Sequence, residues 1–308
     1  MTKTIGIVLN PTAGSGNAGR IFPDILTQLS DAGLKTLVEI TQYAGHGLEL
    51  AQKLVKRGVD AIVSAGGDGT INEVLNGLAE LDFAVPMGAL GIGTGNDFLK
   101  TAGISKDIKR QIDVIKHGHT KYVDLMKIDY SSFEGERALK YSINDFGVGF
   151  PAKVSFRVNN MKGILKGTWS YLEAVVAEIM QNKLMALHIE TPELSTSGMY
   201  NMLFAMVGKY LGGGIKIAPM AIADDGYMDV LFVEKLTRLE MLKLLPKTFK
   251  GTHLPHPKAT HIRTTQLNVE GSQQLIYVQG EVIGFTPAHI SLIPHKVPFL
   301  WPEPTLPA

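Results

Sequence analysis

Three glycine-rich polar segments, each directly after a short apolar run, most constrain the fold of the first hundred residues. They read NPTAGSGNAG from residue 10, GGDGTINEVLNG from residue 66 and GTGNDF from residue 93. Apolar residues at helical spacing follow the first two segments. A short apolar strand, a glycine-rich turn and a helix are the repeating parts of a parallel sheet covered by helices on both faces. The sequence therefore predicts an α/β domain with the three segments at one edge of its sheet.

The alternation of strands and helices extends over residues 1–128. Beyond it, a helical region near 153–182 precedes short strand-like runs separated by turn residues. This pattern predicts a mainly antiparallel β-sandwich domain over 129–295 with one helical insertion. We expect the proline-rich tail at 296–308 to pack back on the first domain.

Composition excludes several classes of function. The chain has 308 residues, 45% of them hydrophobic, with 30 basic and 29 acidic residues and a net charge of +1. This balance does not favour nucleic-acid binding. The absence of cysteine excludes disulfides and thiolate catalysis. The apolar runs are too short for a signal peptide or a spanning helix, so we expect a cytoplasmic protein whose membrane contact is peripheral.

The first segment contains a nominal dinucleotide-binding fingerprint. Gly14, Gly16 and Gly19 form G-x-G-x-x-G, and Glu39 lies twenty residues beyond the last glycine. In a dinucleotide-binding turn the first glycine follows the strand directly, whereas here residues 10–13 intervene. We therefore discard NAD as the ligand of this loop. Two interpretations stay open, a phosphate-binding loop with free main-chain N–H groups and a plain tight turn.

The second and third segments add acidic and amide side chains to the glycines. Asp68 lies between glycines, where a carboxylate can face the magnesium of a bound phosphate, and Thr70 is placed to cap the following helix. Thr94, Asn96 and Asp97 repeat this chemistry after the next strand. Because loops at the carboxyl ends of parallel strands line one crevice, the three segments together predict a nucleotide site.

The order NPTAG, GGDGTINEVLNG, GTGNDF resembles the diacylglycerol kinase catalytic domain, as found in bacterial soluble lipid kinases. The later segments FGVGFPAKV, APMAIADDGYMDV and VQGEVIG continue the resemblance over nearly the whole chain. GGDGT alone also occurs in NAD kinases and phosphofructokinases, but GGDGT followed by Asn72-Glu73 and then by GTGND is specific. The resemblance implies a phosphofructokinase- or NAD-kinase-like first domain that binds ATP.

The resemblance also implies particular site residues. It assigns nucleotide contacts to Asn10, Pro11, Thr12, Ala13, Gly14, Thr41, Gly66, Gly67, Asp68, Gly69, Thr70, Ile71, Asn72, Thr94 and Asp124. Asp68 and Asp97 are expected to act in catalysis beside Mg²⁺ and the phosphates. A structural Mg²⁺ is expected at the Asp225 carboxylate, with main-chain oxygens near Ile222 and Tyr227. From the residues alone, a plain hairpin turn stays open as the alternative interpretation.

The expected general base is the glutamate of a D-G-E motif, which reads Gln279-Gly280-Glu281 in this chain. Glu281 is kept, whereas the acid two positions earlier is replaced by Gln279. Some relatives carry a lysine after the first-loop glycine, where this chain has Ser15, and the nearest basic residue is Arg20. A cationic partner for the γ-phosphate is therefore unassigned.

The resemblance implies a lipid kinase that transfers the γ-phosphoryl group of ATP to a lipid hydroxyl, with diacylglycerol giving phosphatidic acid. An NAD kinase-like phosphotransferase and an inactive nucleotide- or lipid-binding relative stay open as alternatives. A homodimer paired through sheet edges is also left open.

Residues 152–172 carry four basic and no acidic side chains, interleaved with aromatic residues; the basic ones are Lys153, Arg157, Lys162 and Lys166. This composition suits peripheral contact with an anionic membrane surface, where the lipid substrate lies. It equally suits a helix packed on its own domain with solvated lysines.

Overall fold

The computed structural model describes residues 3–160, 168–181 and 183–303. The chain divides into two compact units. The first comprises Met1–Val123 with His295–Ala308, and the second comprises Asp124–Pro294. Lys162 and Lys166 of the basic segment, and residues 304–308 of the tail, lie outside the described residues.

The first unit alternates strands and helices. Its elements are β1 (Thr4–Leu9), α1 (Asn17–Asp31), β2 (Lys35–Ile40), α2 (His46–Lys56), β3 (Ala61–Gly66), α3 (Asp68–Ala79), β4 (Met87–Gly91), α4 (Asp97–Thr101) and α5 (Ile108–His117). Strand β1 pairs in parallel with β2 and β3, and β3 pairs in parallel with β4. The three glycine-rich segments therefore follow the carboxyl ends of β1, β3 and β4, which lie at the same edge.

Burial explains why these runs form strands. All six residues of β3 are buried, and five of the six in β1 are buried as well. A strand that is buried along its whole length needs cover on both faces, which the helices of an α/β unit supply. Helix α1 contributes Phe22, Ile25 and Leu29 to the core against β1 and β3. These residues lie three and four positions apart, so they share one face of the helix.

The tail belongs to the first unit. Trp301 and Phe299 both pack edge-to-face on Phe98 of α4, with ring centroids 6.4 and 5.0 Å away. Phe299 also pairs in parallel with Met87 of β4. The tail therefore adds a strand to the sheet directly beside the helix that begins with the third glycine-rich segment.

The second unit is built mainly from antiparallel strands. Its elements, two of whose strands run on into the first unit, are β5 (His119–Ser131), β6 (Arg137–Ser142), β7 (Asp145–Gly149), α6 (Phe150–Asn160), α7 (Thr168–Gln181), β8 (Met185–Glu190), β9 (Ser195–Met206), β10 (Met228–Glu234), α8 (Arg238–Lys250), β11 (Ala259–Thr264), β12 (Gln266–Gly271), β13 (Leu275–Val278) and β14 (Glu281–Trp301). Strand β9 pairs antiparallel with β7, β8 and β10, and β14 pairs antiparallel with β12 and β13.

The structure differs from the sequence patterns in this unit. Helix α8 lies where no element was expected, although Thr237 and Glu240 form a reciprocal capping box at its start. The last of the expected short strand-like runs belongs to one long strand, β14, which continues through Pro287 and Pro294. Proline normally argues against a strand, but pairing with β12 and with the hairpin neighbour β13 overrides the local signal.

None of the helices formed by the described residues is long and apolar enough to cross a membrane.

Candidate active site

The side chain of Asn10 organises the first glycine-rich loop. Its Oδ1 accepts hydrogen bonds from Thr12 N at 3.1 Å and Thr12 Oγ1 at 2.8 Å, and its Nδ2 donates to Thr70 Oγ1 at 3.3 Å. Asn10 therefore closes its own turn and ties it to the second loop. Within the described residues, the main-chain N–H groups of Gly14 and Ser15 have no hydrogen-bond partner. Free N–H groups in a tight turn are what a phosphate oxygen requires.

The expectation that Thr70 caps the helix after the second loop is wrong. Helix α3 begins at Asp68, its N-cap is Gly67, and no side chain caps it. Thr70 lies inside the first turn and accepts from Asn10 instead. The first N–H groups of α3 are therefore left for another acceptor, which makes this helix end a second source of donors for an anion.

Asp68 links the second loop to the third. Its Oδ1 accepts from the main-chain N–H of Asp97 at 2.7 Å and of Phe98 at 3.3 Å. These N–H groups begin helix α4, so the Asp68 carboxylate acts as the cap that Asn96, with φ of 54°, does not supply. Asn96 Nδ2 donates to the carbonyls of Gly91 and Gly93 at 3.0 Å each, which closes the third loop.

The second and third loops approach each other too closely for side chains. A Cβ atom at Gly93 would lie 2.4 Å from the Cα of Gly67. The main-chain N–H of Gly93 donates to the Gly66 carbonyl at 2.9 Å. The glycines are therefore needed for the contact between backbones, and the contact brings Asp68 and Asp97 to one place.

Burial and a like charge perturb the acidic pair. Burial, followed by the charge of Asp97, raises the pKa of the Asp68 carboxyl to about 6, against the smaller opposing effect of the amides of Phe98 and Asp97. Asp97 is 3% exposed and its Oδ1 accepts from Lys100 Nζ at 2.8 Å. Lys100 is a cation that sequence reasoning missed, although it lies one helical turn beyond Asp97. The unit thus holds two neighbouring carboxylates and one lysine.

The acidic pair fits a magnesium ion carried by a nucleotide. Mg²⁺ prefers oxygen ligands and is usually held by one or two carboxylates together with substrate phosphates. Both described hydrogen bonds of Asp68 go to Oδ1. A divalent cation beside Oδ2 would offset the repulsion between the two carboxylates, and the unpartnered N–H groups of the first loop and of α3 would receive the phosphates.

Glu73 joins the loop after β2 to the same edge. Its Oε1 accepts from Gly45 N and its Oε2 from Gly47 N, both at 2.8 Å. A Cβ at Gly47 would lie 2.9 Å from the Cβ of Glu73, so glycine permits this close approach of the loop to α3. The clamp gives the Asn72-Glu73 part of the motif a physical role, since it fixes the loop that begins at Thr41. Sequence reasoning treated Glu73 only as a marker of the family.

The remaining expected nucleotide residues lie along this edge. Thr41 follows β2, and its N–H donates to the Leu9 carbonyl at 2.8 Å, beside the first loop. Thr94 is exposed, whereas Ile71 and Asn72 are buried in the first turns of α3. The first unit therefore brings together every expected nucleotide residue except Asp124, which belongs to the second unit.

Asp124 lies with the Asp225 turn. It is fully buried, its N–H donates to the Ala223 carbonyl at 2.7 Å, and its Oδ2 accepts from Gly226 N at 2.8 Å. In these contacts Asp124 holds the turn at 223–226 in place.

The expected structural Mg²⁺ at this turn meets a competitor. Asp225 Oδ1 accepts from Tyr227 N at 3.1 Å, and Oδ2 accepts from Arg263 Nη2. The Arg263 guanidinium also lies 4.7 Å from the Tyr227 ring centroid. Burial raises the pKa of Asp225, against the opposing effects of the Tyr227 amide and Arg263. Both carboxylate oxygens have donors, so the turn as it stands does not fit a cation unless Arg263 leaves.

Glu281 is the first residue of β14, in the second unit. Its side chain is 59% exposed and pairs with Lys140 Nζ of β6. Gln279 and Gly280, immediately before it, both have positive φ, 46° and 87°. The Gly280 carbonyl accepts from Asn159 Nδ2 at 3.1 Å. A tight turn held by α6 therefore presents Glu281 to solvent, where it is accessible to an acceptor.

The replaced acid of the D-G-E motif is buried. Gln279 is 5% exposed, and its Oε1 accepts from Ser142 Oγ at 3.1 Å. Beside it, Asp145 accepts from the Tyr277 hydroxyl and from Asn144 Nδ2. Gln279 therefore joins a buried polar network beneath the turn, and its neutral side chain avoids adding a second carboxylate next to Asp145.

The basic segment is only partly available to a membrane. Arg157 pairs with Glu178 of α7 at 2.6 Å, and Phe156 is exposed. Burial lowers the pKa of Lys153, which is half-buried. Peripheral membrane contact through this segment stays a prediction.

No group of three or more histidine, aspartate or glutamate side chains that would hold a metal ion by itself occurs in residues 3–160, 168–181 and 183–303.

The arrangement defines a class of protein: an α/β unit with convergent glycine-rich loops, joined to a β-rich unit. The diacylglycerol kinase catalytic domain family matches residues 4–128, and the YegS C-terminal NAD kinase beta sandwich-like domain family matches residues 145–301. The chain therefore belongs to the diacylglycerol kinase family and is a lipid kinase.

Individual relatives agree with this assignment. A diacylglycerol kinase of Staphylococcus haemolyticus (strain JCSC1435) is 30% identical over 94% of this chain and 85% of its own length. One of Staphylococcus aureus (strain MRSA252) is 31% identical over 94% of this chain and 89% of its own.

Two crystal structures from Bacillus anthracis str. Sterne share the fold. The first has a TM-score of 0.80 at 24% identity and covers 98% of this chain and 95% of its own. The second, described as a diacylglycerol kinase, has a TM-score of 0.71 at 21% identity and covers 98% and 97%. The expected two-domain architecture with a β-rich second domain is confirmed.

Proposed function

We propose that the protein transfers the γ-phosphoryl group of ATP to the hydroxyl of diacylglycerol and forms phosphatidic acid. The observation that carries this proposal is the meeting of the glycine-rich loops around Asp68 and Asp97. Free main-chain N–H groups, an acidic pair and Lys100 are the parts that phosphoryl transfer uses, because its catalysis is mostly positioning and charge neutralisation. Asp68 and Asp97 would hold the magnesium that accompanies ATP, which would neutralise negative charge on the phosphates.

The acceptor side of the reaction rests on Glu281. As the lipid hydroxyl oxygen bonds to the γ-phosphorus, the bond to the β–γ bridging oxygen breaks and ADP leaves with that electron pair. The hydroxyl proton passes to the Glu281 carboxylate, which acts as general base. Lys140 orients that carboxylate through their ion pair. The assignment is supported by the family and by the exposure of Glu281 at the tip of a rigid turn.

The protein acts on a lipid that resides in a membrane, so we propose peripheral contact with the membrane surface and a cytoplasmic location. The exposed Phe156 of α6 suits such contact. A homodimer is a further proposal, and the described residues do not identify its interface.

Incubation with γ-labelled ATP and parallel acceptors tests the proposed reaction. We expect label in the organic phase with diacylglycerol and none on NAD. Label on NAD would favour the NAD kinase-like alternative, which the sandwich domain's family description keeps relevant. ATP binding without transfer to any acceptor would instead support an inactive relative. Asp68→Ala should lose activity because it removes a side chain of the site. Asp113→Ala removes the same charge from an exposed position on α5 and should keep activity.

A further inference from the structure

An apolar pocket lies wholly within the second unit. It is enclosed by α6, α7, α8 and strands β9 and β10, and has a volume of about 100 Å³. Its wall includes Phe150, Val175, Phe204, Leu231, Met241 and Leu244. It lies where two core clusters meet, one around Phe204 and Leu231 and the other around Val175 and Met241.

The polar side chains of the wall are few. The hydroxyl of Thr248 donates to the Leu245 carbonyl at 2.7 Å and is satisfied within its own helix. His253 differs, because both ring nitrogens are buried without a hydrogen-bond partner among the described residues. The ring lies beside the Ile217 carbonyl without hydrogen-bond geometry. Burial lowers the pKa of His253, so the ring is neutral near pH 7.

Helix α6 connects this pocket to the turn that carries Glu281. Phe150 and Pro151 at its start line the pocket. Asn159, near its end, donates to the carbonyl of Gly280, the residue before Glu281. Asn159 lies nine positions after Phe150 along the helix, which is about 14 Å at a rise of ~1.5 Å per residue. The hydrocarbon core of a bilayer is ~30 Å thick, so the tails of one leaflet extend about 15 Å.

We propose that the pocket binds the distal part of one acyl chain of the lipid whose hydroxyl lies at Glu281. This inference rests on the proposed function, since it takes the lipid from that reaction. The length of α6 is close to the length of a membrane-lipid tail, so the protein distinguishes lipids by the length of their acyl chains. An apolar cavity of ~150 Å³ is known to hold benzene, so about 100 Å³ accommodates the end of one chain rather than two whole tails.

The length of α6 between the pocket and the Glu281 turn predicts a preference for lipids with long acyl chains. A dioctanoylglycerol with its hydroxyl at Glu281 has tails too short to fill the pocket, whereas a dipalmitoylglycerol fills it. We expect the specificity constant kcat/KM to be at least tenfold higher for the long-chain lipid, both presented in mixed micelles at equal surface fraction. The Leu244→Trp variant, which fills the pocket, should abolish this difference. Leu242→Trp is the matched control, because Leu242 is exposed on the same helix, and it should keep the difference.

Equilibrium dialysis of labelled palmitate, without ATP, tests the pocket independently of catalysis. We expect saturable binding to the wild type and to Leu242→Trp, and at least a tenfold loss in Leu244→Trp. His253→Leu should bind palmitate more tightly by severalfold, because a hydrocarbon chain leaves the imidazole unsatisfied. Weaker binding by His253→Leu would show that the imidazole binds the carboxylate of palmitate, so that the polar end and not the hydrocarbon end occupies the pocket, and this would overturn the proposal. Equal palmitate binding by Leu244→Trp and wild type would overturn it as well.

The two assays separate the two proposals. If palmitate binding depends on Leu244 but no lipid is phosphorylated, the proposal of an acyl-chain pocket is supported and the proposed reaction is contradicted. If lipid phosphorylation depends neither on chain length nor on the Leu244→Trp substitution, the proposal of an acyl-chain pocket is contradicted and the proposed reaction is supported.

Discussion

Replacing Asp68 by asparagine should stabilise the fold while it removes activity. The carboxyl pKa rises from 3.8 to about 6 in the folded protein. At ~1.36 kcal/mol per pKa unit, ionised Asp68 costs about 3 kcal/mol of unfolding free energy. The hydrogen bonds from Asp97 N and Phe98 N already count in this net shift, and the oxygen of asparagine can accept them as well. Asp68 keeps part of its surface exposed, so solvent screening makes about 3 kcal/mol an upper limit.

The pH dependence of this effect has a definite sign. Between pH 4 and 6 the folded state binds the Asp68 proton and the unfolded state has lost it. The free energy of unfolding of the wild type therefore falls as pH rises through this window and levels off above about pH 6. Asp68→Asn lacks this group, so its advantage should be near zero at pH 4 and reach its full value above pH 6.

Thermal unfolding followed by circular dichroism from pH 4 to 8 measures the difference. We expect Asp68→Asn to melt above the wild type at pH 7.5, by no more than about 6–12 °C, at about 2–4 °C per kcal/mol. Asp113→Asn, an exposed carboxylate on α5, is the control and should match the wild type. A variant that melts at or below the wild-type temperature at pH 7.5 would refute the claim that burial and Asp97 strain the Asp68 carboxylate.

Three further predictions follow from the site. Glu281→Gln should lower kcat at least a hundredfold, and calorimetry should show unchanged affinity for ATP. The control Glu270→Gln, at an exposed position, should be active. Normal turnover by Glu281→Gln would contradict the assignment of Glu281 as general base. Glu73→Gln gives up one of two charged hydrogen bonds to the Gly45–Gly47 loop, worth about 1.5–3 kcal/mol, so we expect a higher KM for ATP with kcat little changed; unchanged KM would show that this loop does not serve the nucleotide. Arg263→Gln frees the Asp225 carboxylate, so Mg²⁺ should raise its melting temperature more than that of the wild type; no Mg²⁺ effect in either protein would mean that the turn holds no cation.

The loops of the first unit could be predicted from sequence because each follows its own strand. The order of residues along the chain places Asp68 after β3 and Asp97 after β4. Because the strands are parallel, both residues lie at the same edge of the sheet. Lys100, three residues after Asp97, was visible in the sequence and was overlooked, whereas the role of Glu73 depends on which loop it contacts. Glu73 bonds Gly45, 28 residues away, and no local pattern reports that distance.

The second unit was harder to predict for the same reason. Strand β14 passes through prolines that locally argue against a strand, and it pairs with β12 and with the distant β4 as well as with its hairpin neighbour β13. The apolar pocket is assembled from α6, α7, α8 and β10, so its residues look like ordinary core positions in the sequence. Helix α8 was predictable, since Thr237 and Glu240 spell a capping box.

The most direct test of the central claim is the stoichiometry of one reaction. Purified protein, ATP with Mg²⁺ and long-chain diacylglycerol in mixed micelles should yield one phosphatidic acid, identified by mass spectrometry, for each ADP released. ADP formed without phosphorylated lipid, or no ADP formed with bound ATP present, would contradict the account.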